Sequence, residues 1–388
     1  MYKTLQIIIL VLFLSFFPSI VFAQAASSRG QISGWVTGSE DNLPLSQTGY
    51  RFIPELTLET PLGDQLFIYS QISLNSYGTA DFDSMEKPEM DSDIRAYRFW
   101  VRLAGSRFEI RIGLQKINFG SAALFRPLRW FDSVDPRDPL KLTGGVYGLL
   151  GRYYFQNNAN IWLWSLYGNE DPKGWEAVPT AKESIEAGGR IQLPFSIGEA
   201  AFTYHHRKAD FTESLLPAGL SDDDWADESR FAFDIKIDAV IGMWFEGAVF
   251  HRDTDIDFMK YSSLWTAGSD YTFDIGNGLN VLGEFFSSTG GKDIFADTLE
   301  SNFIGASANY PLSLLDQLAG IYYYDITQQE NYLTLQWQRI YDSWTFTFSG
   351  FINPDTGDSV SGSSADGSTK NKNARSGNGF QIMSVFNY

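Results

Sequence analysis

Arg107-Phe108-Glu109-Ile110-Arg111-Ile112-Gly113-Leu114 is the stretch that decides the fold class. Phe108, Ile110, Ile112 and Leu114 fall on one face, and Arg107, Glu109, Arg111 and Gly113 on the other. A period of two with one apolar and one polar face is a β-strand lying between two different solvents. The pattern recurs from Arg230 to Asp238, where Phe231, Phe233, Ile235 and Ile237 oppose Arg230, Ala232, Asp234, Lys236 and Asp238. It returns near the end, where Trp344, Phe346 and Phe348 oppose Thr345, Thr347 and Ser349.

Composition agrees. The 388 residues include 31 Phe, 19 Tyr, 11 Trp and 35 Gly, with 29 Lys+Arg against 47 Asp+Glu and a net charge of -18. Aromatics suit strands and glycine suits turns, so the chain reads as all-β. The acidity argues against nucleic-acid binding, which needs a basic face. Zero cysteines exclude a disulfide scaffold, a Cys-ligated metal centre and a thiol enzyme. Residues 1–23 carry Lys3, an apolar run from Leu5 to Phe17, then Pro18 and Val21-Phe22-Ala23. That is the build of a secretory signal peptide cleaved after Ala23. No later stretch is apolar for the ~20 residues that a membrane helix needs.

Alternating strands could build a soluble sandwich or a transmembrane barrel, and the connections discriminate. About 18 strands fit between Gln31 and Tyr388, with 16 as the alternative count. Short turns such as Leu62-Gly63-Asp64, Ala104-Gly105-Ser106 and Gln156-Asn157-Asn158-Ala159 alternate with long polar loops near 77–92, 119–143, 169–183, 209–228, 289–300 and 353–378. Two connections, near 252–259 and 326–330, are shorter than the pattern wants. Alternating short turns and long loops describe an antiparallel transmembrane β-barrel over 24–388, with periplasmic turns and extracellular loops. A Greek-key sandwich has no reason to alternate in this way.

On these features the chain resembles a Gram-negative outer-membrane porin. The final segment, Phe380-Gln381-Ile382-Met383-Ser384-Val385-Phe386-Asn387-Tyr388, ends on an aromatic with Phe two positions before it. It is similar to the terminal signal read by the barrel-insertion machinery, although Met383 stands where a glycine is common. The resemblance implies an outer-membrane protein, bathed in lipid and lipopolysaccharide, that inserts through Phe386 and Tyr388. A homotrimer is compatible with the apolar outer stripe.

The loop at 119–143 is the most informative. Arg126-Pro127-Leu128-Arg129-Trp130-Phe131-Asp132 is followed by Asp135-Pro136-Arg137-Asp138-Pro139. This loop and the strand before it are similar to those of outer-membrane channels for anionic substrates, the alginate-export type included. As the third extracellular loop it is expected to fold inward and narrow the pore. Alternation points Arg98, Arg102, Arg111, Arg152 and Arg190 into the lumen, with Arg126, Arg129 and Arg137 on the loop beside them. Glu109 and Glu186 also point inward and neutralise part of this array. Asp234, Glu246 and Glu284 are expected across the barrel, giving a transverse field that selects solutes by charge. Glu55 and Glu59 add negative charge near the start of the chain.

Other acidic clusters read as solvated loop charges: Asp81 to Asp93 in the second extracellular loop, and Asp222, Asp223, Asp224, Asp227 and Glu228 in the fifth. Asp253, Asp255 and Asp257 begin like a calcium loop, but Phe258 and Leu264 stand where glycine and a bidentate glutamate belong. No cofactor is implied, and a metal remains open. Of His205, His206 and His251, none is accompanied by a nucleophile motif, so no enzyme is expected. The expected function is passive diffusion of small hydrophilic, anionic solutes. A polysaccharide or organic-solute exporter is the alternative, and a filled lumen would favour a structural barrel.

Overall fold

A computed structural model describes residues 25–40, 45–82, 88–176, 178–212, 225–296, 298–354 and 377–388. The segment expected to be a signal peptide, Asp222 to Asp224 and most of the last loop lie outside these residues. The strands are β1 (Ala25–Ser39), β2 (Gln47–Pro61), β3 (Phe67–Asp81), β4 (Glu89–Ala104), β5 (Phe108–Gln115), β6 (Val146–Tyr154), β7 (Asn160–Tyr167), β8 (Ile185–Phe195) and β9 (Gly198–Asp210). They continue with β10 (Trp225–Asp238), β11 (Gly242–Arg252), β12 (Tyr261–Phe273), β13 (Leu279–Gly291), β14 (Leu299–Pro311), β15 (Asp316–Asp325), β16 (Glu330–Ile340), β17 (Trp344–Ile352) and β18 (Asn378–Asn387). One helical turn, α1 (Asp257–Lys260), sits in the connection before β12.

Each strand pairs antiparallel with its sequence neighbours, and β1 also pairs with β18, so the 18-stranded sheet closes. The closure is tied by main-chain bonds between Gly30 and Tyr388, at 3.0 and 3.1 Å. Closing removes both sheet edges, the condition for backbone to sit in hydrocarbon. The outward residues are the apolar set of each strand: Ile112 is 59% exposed, Leu163 64% and Phe202 60%. Such side chains ring the barrel and would be a severe liability in water, whereas in lipid they need no cover. Phe386 and Tyr388 belong to this outer band, with Phe386 packed on Trp344 at 4.9 Å. Met383 points inward against Trp35.

The wall is uneven. Strand β4 has 16 residues, but β5, β6 and β7 have only 8, 9 and 8. The 30-residue connection 116–145 leaves from this low stretch of wall and drops into the barrel. A sheet closed by hydrogen bonds all round resists detergent, so unheated protein should migrate faster on a gel than boiled protein. Identical migration before and after boiling would count against a closed barrel.

Candidate functional site

Two lumen-facing carboxylates catch connection 116–145. Glu246 on β11 accepts the main-chain N–H groups of Ser121 and Ala122, the latter at 2.7 Å. Glu284 on β13 accepts those of Ala123, Leu124 and Phe125 at 2.7, 2.9 and 2.7 Å, together with the Trp244 indole at 2.9 Å. On β12, between them, the Thr266 hydroxyl donates to the Phe125 carbonyl at 2.8 Å. Charge-assisted bonds to backbone N–H groups are among the stronger ones a protein makes. Gly120, with φ +97°, allows this approach, because a Cβ there would collide with the Glu246 carboxylate.

From that anchor the loop crosses the lumen. Phe125 packs against Phe286, Phe303 and Tyr323 on β13, β14 and β15, with ring centroids 5.0–5.6 Å apart. Trp130 and Phe131 pack against His205, Phe250 and Trp164. Further on, the Arg137 carbonyl accepts from Gln336 on β16 at 2.7 Å, and Leu140 reaches the Trp35–Met383–Val385 cluster of β1 and β18. The return is held by Arg98 on β4, which donates to the Thr143 carbonyl at 3.1 Å. The product is a dry apolar core inside the barrel.

A second loop, 168–184, lies on the first. The Trp175 indole donates to the Arg126 carbonyl at 2.7 Å, its ring stacks on Phe286, and Arg129 lies 4.9 Å from its centroid. Gly174, with φ +54°, permits the contact, since a Cβ would overlap the Arg129 carbonyl. This loop is fixed by a buried ionic network at the long-loop mouth. Glu228 receives Arg207, Arg230 and Arg252 at 2.6, 2.7 and 2.5 Å, and Arg230 also reaches Glu176 at 2.7 Å. Burial alone would push the Glu176 carboxyl up, but Arg207, Lys173 and Arg230 hold it below the usual carboxylate range. Asp227 lies on the outer surface, whereas Glu228 is fully buried and is not the solvated loop charge expected of it.

Every strand therefore contributes at least one inward side chain that is no more than 8% exposed, although on β4 Arg95 and Asp93, toward the long loops, stay open. Toward the short turns inward side chains are part-exposed, among them Gln71, Gln317, Gln338 and Thr345. That half of the lumen is wet. Its charged centre is on β4, β5 and β6, where Arg102, Arg111 and Arg152 surround Glu109 at 3.4, 3.9 and 3.0 Å. Each guanidinium also lies over an aromatic ring: Arg102 over Tyr69 at 4.3 Å, Arg111 over Trp100 at 4.7 Å, and Arg152 over Trp162 at 3.6 Å.

The structure thus divides the residues singled out in the sequence. Arg102, Arg111 and Arg152 come together in the wet chamber with Glu109. Arg98 instead pins the loop. Arg190, expected to face Asp234 across the lumen, is bonded to it at 2.5 and 2.9 Å, two strands away. Glu246 and Glu284, expected as part of an open acidic wall, are instead bonded to the main chain of the loop. Arg126 pairs with Asp132 at 2.7 Å and Arg137 with Asp135 at 2.9 Å, both within the loop. The loop's ion pairs stiffen it, while the wall carboxylates attach it. Arg129 is buried with Nε and Nη2 lacking hydrogen-bond partners among the described residues. His205 faces inward and bonds Glu186 at 3.2 Å, which Lys173 also reaches at 3.4 Å. His206 faces outward, and the His251 ring packs on Tyr261. Among the described residues no cluster of three or more His, Asp or Glu could hold a metal ion.

Two features of the site were missed in the sequence: the aromatic supports Tyr69, Trp100 and Trp162, and the filled core. The second had a signal. Ile161-Trp162-Leu163-Trp164-Ser165-Leu166-Tyr167 is apolar on both faces, as in a strand buried on both sides.

No protein-family profile matches the chain. No curated protein matches it in sequence. Solved structures with the same fold are outer-membrane barrels. They include Pseudomonas aeruginosa OccD3, with TM-score 0.56, 10% identity and coverage of 95% of this chain and 92% of that one. Vibrio cholerae OmpT, solved in its trimer form, has TM-score 0.51, 12% identity and coverage of 94% and 99%. Escherichia coli Wzi, described as a carbohydrate-binding β-barrel involved in capsule assembly, has TM-score 0.52, 10% identity and coverage of 96% and 87%. The fold is that of the Gram-negative outer-membrane porins.

Proposed function

We propose that this barrel is an outer-membrane channel for small hydrophilic, anionic solutes, and that connection 116–145 must shift for them to pass. One observation carries the reading: on one wall of the short-turn half, three arginines cluster with a single carboxylate among them. In a confined space of low dielectric, fixed charges at the wall act more strongly than the screened acidic loops outside. The proposal includes removal of residues 1–23, insertion through Phe386 and Tyr388, and assembly as a homotrimer in a membrane containing lipopolysaccharide. A structural barrel is the second reading, favoured by the filled lumen.

Reversal potentials in planar bilayers under a KCl gradient test the first reading. Openings of the unmodified protein are expected to favour chloride, and the Arg111→Ala/Arg152→Ala double substitution is expected to abolish that preference. Preference for potassium, unchanged by the double substitution, would remove the anion claim. A correctly inserted barrel that never conducts would leave the structural reading.

A further inference from the structure

We infer that Arg102, Arg111 and Arg152 form a saturable site for small dianionic oxyanions, dicarboxylate or phosphate, entered from the short-turn mouth of the barrel. The inference deepens the channel reading, from which it takes the lumen as the solute's route.

The first argument is electrostatic. Arg102 on β4 and Arg111 on β5 stand directly opposite each other in register, a like-charge pair that destabilises a sheet unless something offsets it. Among the described residues Glu109 is the one carboxylate in contact with the trio, and it serves all three guanidiniums. Three positive charges and one negative leave a surplus of two. On the neighbouring wall Glu59 of β2 stands in the same register row, two strands from Arg102, and Glu55, in the Arg98 row, is paired with Arg29.

The second is hydrogen bonding. The Nε–H of each of the three arginines is buried without an acceptor among the described residues. A buried donor left without a partner costs about 1–3 kcal/mol, and here three stand together. The same side chains keep 26%, 16% and 17% of their surface open to the chamber. The buried Nε atoms are out of a solute's reach, and it is the open part of each side chain that can meet an oxyanion bringing its own oxygens. The Tyr69, Trp100 and Trp162 faces hold the guanidiniums in place, so little order is lost on binding. Those faces are already covered, which leaves charge rather than stacking as the basis of recognition.

The third is access. Above the site the lumen holds the core built on Phe125, Trp130 and Phe131, while inward residues toward the short turns remain part-exposed. A solute therefore reaches the arginines from the short-turn side without movement of the loop.

Calorimetric titration of the full-length detergent-solubilised protein at low salt tests the site, with succinate and inorganic phosphate as probes and acetate and glucose as controls. One-to-one saturation by either dianion is expected, with acetate at least tenfold weaker and glucose silent; which dianion binds names the source. Arg111→Gln should weaken binding at least tenfold, and Glu109→Gln, which raises the surplus, should tighten it. Heat-modifiable migration verifies that both variants fold. Saturation by neither dianion, or affinities that neither substitution moves, overturns the site. Binding and conductance are separate readouts: a barrel that binds but never conducts loses the channel reading and keeps this one.

Discussion

Planar bilayers holding the Glu246→Ala/Glu284→Ala double substitution are expected to carry a steady current at least tenfold above that of the unmodified protein. The two carboxylates accept six main-chain N–H groups of the crossing loop, those of Ser121 to Phe125 and, at 3.5 Å, Leu128. Removing them strands those donors in a dry setting, at about 1–3 kcal/mol for each one that finds no water. Every 1.4 kcal/mol is a factor of about ten in an equilibrium, so a partial loss already moves the closed and open populations substantially. Opposing it are the aromatic contacts of Phe125, Trp130 and Phe131, which the substitutions leave in place. An unchanged current from a folded double variant would mean that the aromatic core, rather than the carboxylates, keeps the lumen shut.

Glu228→Gln is expected to cost about 3–5 kcal/mol of barrel stability, the range for leaving buried charges without their partner. Arg207, Arg230 and Arg252 converge on this one carboxylate, and all four side chains are no more than 5% exposed. With glutamine, the three guanidiniums keep their mutual repulsion, Arg207 and Arg230 retain only Glu176, and Arg252 loses the carboxylate it is paired with. A lower urea midpoint for the native migration pattern measures the loss. Acid should act in the same direction through Glu176. Because its carboxyl is held below the ordinary range, its contribution is present above about pH 4.3 and fades as pH falls through the depressed value. A Glu228→Gln barrel with an unaltered midpoint would show that the loop network is dispensable.

The strand count was legible because alternation and turn chemistry are local. Arg107–Leu114 shows its two faces without any knowledge of its neighbours, and turns such as Leu62-Gly63-Asp64 mark the short end equally well. The same local rule assigned inward faces correctly, including Arg102, Arg111 and Arg152. It could not say what an inward side chain would meet. Glu246 and Glu284 looked like pore charges because their strands alternate, and only the path of connection 116–145 makes them anchors. Arg190 and Asp234 are 44 residues apart in sequence and become a bonded pair only once β8, β9 and β10 are in register.

The sequence by itself determined that this chain is an antiparallel barrel of about 18 strands with apolar residues outside, because a strand's period and a turn's residues depend only on near neighbours. The tertiary structure alone decided that the long-loop half of the lumen is filled and the short-turn half wet. That outcome depends on a 30-residue loop reaching strands far away in sequence, where its backbone N–H groups meet two carboxylates and its aromatics meet a wall that covers them. Contacts of that range are set by closure of the sheet, which brings distant strands around one lumen, and no local pattern encodes them.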